Sequence, residues 1–341
     1  NGASLTALGG FSSDLLKIES GGQFDVPVGY TNNNEIELSG SDTWITGGVL
    51  TNDGLLRGTG RIASALANQA GGEVRVAAGQ QMHLTDTGGQ SNAGRIEVIG
   101  NAMQTAEIEF DGVLTNTTIT GNIAASNATM RFNDGLVNNG VFGVSFGTSN
   151  VLGDVDNQVG GAITVTGNSN VTFWDDLIND GTLKVSSGST AVYFGSVSGS
   201  GSFTGSGTTF LEGDLSPGSS PGAMSFGGDV VLGESSTTLI ELAGPANGEY
   251  DRLLVAGALE VSGALEVQLL DGFTPTIDTA FEILDAMDLS GTFSSLVLPH
   301  LLGHLSWDSS LLYSNGTLSV IPEPTTLSLL AVGMLMACRR R

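Results

Sequence analysis

Apolar and polar residues alternate along most of this chain in runs of four or five, and turn-forming residues cut the runs short. Glu73-Val74-Arg75-Val76, Arg95-Ile96-Glu97-Val98, Ala162-Ile163-Thr164-Val165 and Thr182-Leu183-Lys184-Val185 share one pattern. In a strand, side chains two apart face one side and their neighbours the other, so each run predicts a half-buried strand. A second set follows soon after the first: Gln81-Met82-His83-Leu84, Asn170-Val171-Thr172-Phe173 and Thr190-Ala191-Val192-Tyr193-Phe194. Shorter strands are expected earlier, at Leu15–Ile18, Gln23–Val26, Glu35–Leu38 and Thr43–Ile45. Before the C-terminal tail, no stretch keeps helical periodicity over about 11 residues.

Between the strands one unit recurs. Leu177-Ile178-Asn179-Asp180-Gly181-Thr182-Leu183-Lys184-Val185 has counterparts around Asn52, Asn92 and Asn138, and looser ones around Asn68, Asn116 and Asn157. From Asn68 to Asn179 the steps are 24, 24, 22, 19 and 22 residues. A period near that length is the mark of a repeat architecture. Two or three strands per repeat, stacked in register, predict a right-handed parallel β-helix, an all-β solenoid. Coils spaced about 4.8 Å apart would make a rod on the order of 35–50 Å long. The repeated Asn has two readings. Buried, it bonds the Asn or backbone of the coils above and below, which removes the cost of burying an amide. Alternatively, Asn-x-Gly is turn chemistry, because both residues tolerate positive φ. Both readings are structural.

Composition narrows the class. Gly is 51 of 341 residues and Pro only 8, with 40% hydrophobic residues, which argues against disorder. The balance of 35 acidic to 11 basic residues, a net of −24, excludes the basic stripe that nucleic-acid binding needs. It fits an acidic, solvated surface, with calcium binding by some of the carboxylates as the alternative. The single cysteine, Cys338, lies in the tail, so no disulfide framework is expected. The chain opens at Asn1 without a basic-then-apolar leader, and the expectation is a fragment or a form already lacking a secretion signal.

Four regions follow: 1–50 as an N-terminal cap or irregular first rungs, 51–228 as β-helix repeats, 229–320 as a small β-rich closing module, and 322–341 as a tail with a single hydrophobic helix. Residues 229–320 are expected to form antiparallel-type strands, the last at Phe281–Leu284, Leu305–Trp307, Leu311–Tyr313 and Thr317–Ile321. The string Leu215-Ser216-Pro217-Gly218-Ser219-Ser220-Pro221-Gly222, followed by Tyr250-Asp251-Arg252-Leu253-Leu254-Val255 and Gly263-Ala264-Leu265-Glu266-Val267, resembles the end of autotransporter-like β-helical passenger regions of bacterial surface proteins. That resemblance implies a module closing the open end of the β-helix and no particular activity.

The tail has three parts: Pro322-Glu323-Pro324, an apolar run carrying Leu327, Leu329, Leu330, Val332, Leu335 and Met336, and the basic end Arg339-Arg340-Arg341. Their order and spacing resemble the PEP-CTERM sorting signal. The resemblance implies export, retention by the apolar run as a membrane helix, and recognition at Pro322-Glu323-Pro324 by an exosortase-type processing enzyme. It also implies bacteria that make exopolysaccharide. The run from Thr325 to Cys338 spans about 21 Å as a helix, short of the roughly 30 Å bilayer core, which suits a transient tether. Three Arg place the C-terminus in the cytoplasm by the positive-inside rule and the body outside.

Catalytic equipment is sparse. Asp175-Asp176 is the best carboxylate pair, but adjacent strand residues face opposite sides, which favours a polar turn. Asp154 and Asp156 could share a face, with no basic residue near them. The bases or charge stabilisers of a lyase would have to come from Arg75, Arg95 or Arg131, for which an exposed strand face is the ordinary role. His300 and His304 are four apart, yet Pro299 and Gly303 interrupt any helix there, and a zinc site lacks a third ligand. His83 reads as a surface residue. No Gly-x-Ser-x-Gly elbow, phosphate loop or nine-residue calcium repeat is present. Trp44, Trp174, Tyr193 and Trp307 are too scattered to form a visible sugar-binding platform. The expectation is therefore a non-enzymatic protein without cofactor or metal, an inner-membrane-tethered precursor destined for the cell surface or matrix, with a structural or adhesive role. The alternatives are a β-helical polysaccharide lyase or hydrolase, or a carbohydrate-binding surface protein.

Overall fold

A computed structural model describes residues 4–6, 14–117, 120–218 and 220–323. The chain winds as an all-β parallel solenoid of the right-handed type with about ten turns. A typical coil has three strands. Leu114–Asn116 lies on a first, short face, Asn122–Ser126 on a second and Ala128–Phe132 on a third. The next coil repeats this with Leu136–Asn138, Val141–Ser145 and Thr148–Leu152. Each strand pairs in parallel with its counterpart one coil on, as Ile96↔Ile123 and Ile123↔Phe142 do on the second face. Ile108↔Met130 and Met130↔Val151 show the same register on the third.

Alternation sets what points inward. Ile96, Ile123, Phe142 and Ile163 are buried in one column, and Phe110, Phe132, Phe173 and Tyr193 contribute to the interior of the third face. Phe110 and Phe132 stack with centroids 5.7 Å apart, and Phe173 and Tyr193 at 5.0 Å. On the first face Leu50, Leu66, Leu114, Leu136, Val155 and Leu177 are buried two residues ahead of the Asn. Each fully buried Leu contributes about 2–3 kcal/mol of transfer free energy, available only when coils lie above and below it.

The Asn side chains form a ladder. Asn32 Nδ2 donates to Asn52 Oδ1, and the pattern repeats through Asn68, Asn92, Asn116, Asn138, Asn157 and Asn179, each bond 2.7–2.8 Å. The second hydrogen of the amide goes to a backbone carbonyl, as from Asn116 to Val141 O and from Asn157 to Thr182 O. All eight side chains are buried and each is satisfied, which is the condition for placing amides in a core. Asn32, hidden in sequence among Asn33 and Asn34, is the first rung.

The Gly of the Asn-x-Gly unit is needed for space rather than for backbone angle. Gly140 and Gly181 are absent from the positive-φ residues. A Cβ on Gly140 would collide with the carbonyl oxygen of Gly121, and one on Gly181 with that of Gly161. The turns of successive coils therefore nest backbone against backbone.

The first 50 residues hold early rungs: Leu16–Glu19 pairs with Glu35–Gly47, whose pairing to the next coil shifts register between Ser39 and Trp44. One expectation about the C-terminal end changes: parallel pairing runs past residue 228. Ala223–Phe226 and Asp229–Leu232 pair in parallel with Arg252–Val261, which pairs in parallel with Leu284–Gly291. Antiparallel pairing among the described residues is confined to a three-stranded sheet in which Thr317–Pro322 lies between Ala280–Glu282 and Leu305–Asp308, apart from isolated bridges such as Leu242↔Tyr250. Alternating side chains look the same in both kinds of pairing, and the long stretches between these strands travel around a coil rather than through a hairpin. Leu311–Tyr313, expected as a strand, instead leads into a single helical turn, Leu312–Asn315, stopped by Gly316 at φ 71°. No described helix is long and apolar enough to cross a membrane.

The Leu-Ser-Pro-Gly string is joined to the later strands by backbone bonds at Leu215 and Gly222 and by one buried carboxylate. Asp251, buried, accepts from the backbone N–H of Gly222 at 2.6 Å and of Glu241 at 2.8 Å. Burial pushes its carboxyl up to about 6, although the two N–H donors favour the charged form.

Candidate functional site

The third face carries a row of outward side chains between the buried ones. Register places Trp44 beside Arg61, Arg61 beside His83, His83 beside Glu109 and Glu109 beside Arg131. Met82, Leu84, Ile108 and Phe110 anchor the same strands from inside, which fixes the backbone under the row. The guanidinium of Arg61 lies over the Trp44 ring, 5.1 Å from its centroid, close enough for a cation–π contact.

At the centre of the row, two strands bring three ligating groups together. His83 lies on Gln81–Leu84, Glu109 on Ala106–Phe110, and Asp111 just beyond it. Glu109 and Asp111 share a face because they are two apart. His83 Nε2 is 3.0 Å from Asp111 Oδ1 and 3.9 Å from Glu109 Oε2. From the next coil, Asn133 Nδ2 donates to Glu109 Oε1 at 3.0 Å and Asp111 Oδ1 at 2.8 Å. The hydrogen bond with His83, assisted by Asn133, holds the Asp111 carboxyl below the usual range despite partial burial. Among the described residues this is the set of His, Cys, Asp or Glu whose ligand atoms all fall within 4.8 Å of one another. Beside it, Arg61, Gln81, His83, Glu107 and Glu109 line an open recess of about 270 Å³.

The other residues singled out in the sequence are mostly engaged in holding coils together. Arg75 bonds Glu73 and Glu97, Arg95 pairs with Glu97, and Arg131 bonds Glu107 at 2.9 Å. Arg75 and Arg95 lie on the second face and Arg131 on the third, so they do not gather. The aspartates cap backbone of neighbouring coils: Asp154 Oδ1 accepts from Asp176 N, Asp176 Oδ1 from Ser196 N, and Asp175 Oδ2 from Gly153 N. Asp156 accepts from Gln158. Asp134, Asp154, Asp156 and Asp176, drawn from three adjacent coils, border a second recess of about 310 Å³.

His304 faces Glu323 at 3.8 Å, and His300 joins no ligand set among the described residues. Of the four aromatic residues, Tyr193 is buried on Phe173. Trp307 donates from Nε1 to Pro299 O. Trp174, half exposed, stacks on Phe194 at 4.8 Å. In the tail, Pro322 ends the last strand opposite Leu305, and Glu323 N donates to His304 O at 2.8 Å. Pro324, Leu327, Leu329, Leu330, Val332, Leu335, Met336 and Arg339–Arg341 lie outside the described residues.

The His83 cluster is what sequence reasoning missed. Its partners sit 26 and 28 positions further on, one coil away, and only the strand register makes them neighbours. The available signal was His83 and Glu109 falling at equivalent places in successive third-face strands. Neither family models nor curated proteins provide a match to this chain.

Proposed function

We propose that this protein is an exported structural or adhesive rod, positioned at the cell surface or in the matrix by its C-terminal tail. The observation that carries the reading is the Asn ladder, an unbroken line of side-chain hydrogen bonds through eight coils. Such a line resists bending and shear between coils and suits a stiff spacer. The sequence from Pro322 onward supports the address, because it resembles the PEP-CTERM signal. Its partners in this reading are an exosortase-type enzyme, the membrane through the apolar run, and exopolysaccharide or other surface proteins. The net charge of −24 keeps such rods apart from one another in solution.

The test is fractionation of the full chain in a host with and without an exosortase-type enzyme, beside a variant lacking Arg339–Arg341. The full chain should remain with the membrane when the enzyme is absent and reach the surface or matrix when it is present. The shortened variant should be retained less. A body that distributes identically with and without the tail refutes the reading.

One observation favours a polysaccharide hydrolase as the second reading: carboxylates from three adjacent coils around the recess at Asp156. Hydrolysis of glycosides uses a pair of carboxylates, whereas here Asp154 and Asp176 each give an oxygen to backbone N–H. Release of reducing ends from acidic or neutral polysaccharide, abolished by Asp156→Asn, would move the assignment to that class.

A further inference from the structure

We propose that His83, Glu109 and Asp111 bind a divalent transition-metal ion of the zinc class on the third face of the solenoid. The geometry of the three groups carries the inference. Zinc takes imidazole nitrogen at about 2.0–2.1 Å and carboxylate oxygen at about 2.0–2.2 Å, so tetrahedral ligand atoms lie about 3.3 Å from one another. The separations of 3.0 and 3.9 Å from His83 Nε2 to the two carboxylates bracket that value. All three ligand atoms lie within 4.8 Å of one another, so modest side-chain rotations would close them on an ion.

The support beneath the ligands is already in place. Strand register sets His83 opposite Glu109 across one rung, and buried Met82, Leu84, Ile108 and Phe110 hold both strands. Asn133 donates to one oxygen of each carboxylate, the kind of outer contact that orients ligands in metal sites. Two carboxylates and a neutral imidazole match the charge of a divalent ion. The imidazole nitrogen selects the class, because calcium and magnesium favour oxygen ligands alone. The recess bordered by Arg61, His83 and Glu109 adjoins the ligands and leaves room for water or an oxygen of a surface polymer to complete the coordination. The ligands come from two successive coils, so the ion would also staple those coils together.

The experiment is titration of the metal-free full chain with zinc chloride, followed by equilibrium dialysis and thermal unfolding, with calcium chloride in parallel. One saturable zinc site per chain is expected, with a raised unfolding temperature. His83→Gln, Glu109→Gln and Asp111→Asn should each weaken binding about tenfold or more. These side chains are partly exposed, and circular dichroism of each metal-free variant checks that the solenoid is retained. Cobalt in place of zinc should give a visible absorption band that His83→Gln removes. Zinc uptake that is unsaturable, or unchanged in His83→Gln, would mark diffuse attraction to the acidic surface and overturn the proposal. Calcium binding more tightly than zinc would overturn it as well.

Discussion

Asn116 and Asn179 are both fully buried members of the same ladder, so burial alone predicts equal losses when either is cut to Ala. Their hydrogen bonds predict otherwise. Asn116 accepts from Asn92 at 2.8 Å and donates to Asn138 Oδ1 at 2.7 Å and to Val141 O at 3.2 Å. Asn116→Ala removes all three bonds and strands a donor on one side and acceptors on the other. At roughly 1–3 kcal/mol for each of the three buried groups left unsatisfied, the loss is about 3–9 kcal/mol before any relaxation. Asn179 stands at the end of the ladder. It accepts from Asn157 at 2.7 Å and donates to Ser202 O at 3.4 Å, so two groups lose a partner and Asn179→Ala should cost about 2–6 kcal/mol. A solenoid need not unfold in one step. Denaturant midpoints should therefore be read with amide hydrogen exchange at the short strands on either side of each substitution. Exchange protection should fall further, and across more coils, for Asn116→Ala. Equal losses at the two sites, or a loss under about 1 kcal/mol at Asn116, would falsify the account of the ladder as a chain of mutually dependent bonds.

Three further substitutions test other parts of the fold. The Tyr193 hydroxyl is buried without a hydrogen-bond partner while its ring stacks on Phe173; Tyr193→Phe should raise stability by about 1 kcal/mol, and a loss in the unfolding midpoint would show that the hydroxyl has a role. Gly140→Ala should cost about 2–4 kcal/mol, because its Cβ meets backbone of the preceding coil; a neutral result in chemical denaturation would mean that the nested turns can separate freely. The Asp251 carboxyl is raised to about 6 from 3.8, so the folded chain holds a proton that the unfolded chain releases. Its contribution is fully present below pH 3.8 and is lost as pH rises through about 6. Over that window the wild-type should lose on the order of 3 kcal/mol relative to Asp251→Asn, measured as the difference in their unfolding free energies at each pH; a difference that does not change with pH would show that the two backbone donors keep Asp251 ionised.

The strands and their period were legible because alternation and turn residues are local properties. Val74 and Val76, or Ile96 and Val98, announce their inward faces without knowledge of any partner. Strand direction was not legible beyond residue 228. Leu253 and Val255 alternate identically whether the neighbour runs parallel or antiparallel, and only the route of the intervening chain decides it. Asn32 was obscured by Asn33 and Asn34, which offer three equivalent residues for one buried position. The His83 cluster was invisible for a related reason: coil lengths vary, so spacing in sequence does not reveal which residues stand side by side. The Asn-x-Gly unit was readable as a repeat, while the reason for its Gly, contact between coils, required the stacked backbone.

The last strand, Thr317–Pro322, has a consequence for how load enters the molecule. It is bonded along both edges, to Ala280–Glu282 and to Leu305–Asp308, and Leu318 and Val320 are plugged into the interior. Chain continuing beyond Glu323 therefore pulls on a strand clamped from two sides. Tension along that strand must shear both rows of bonds together, whereas a strand at a free edge would peel away one bond at a time. If the tail is a tether, the body is gripped at the place where drag on the rod would be felt.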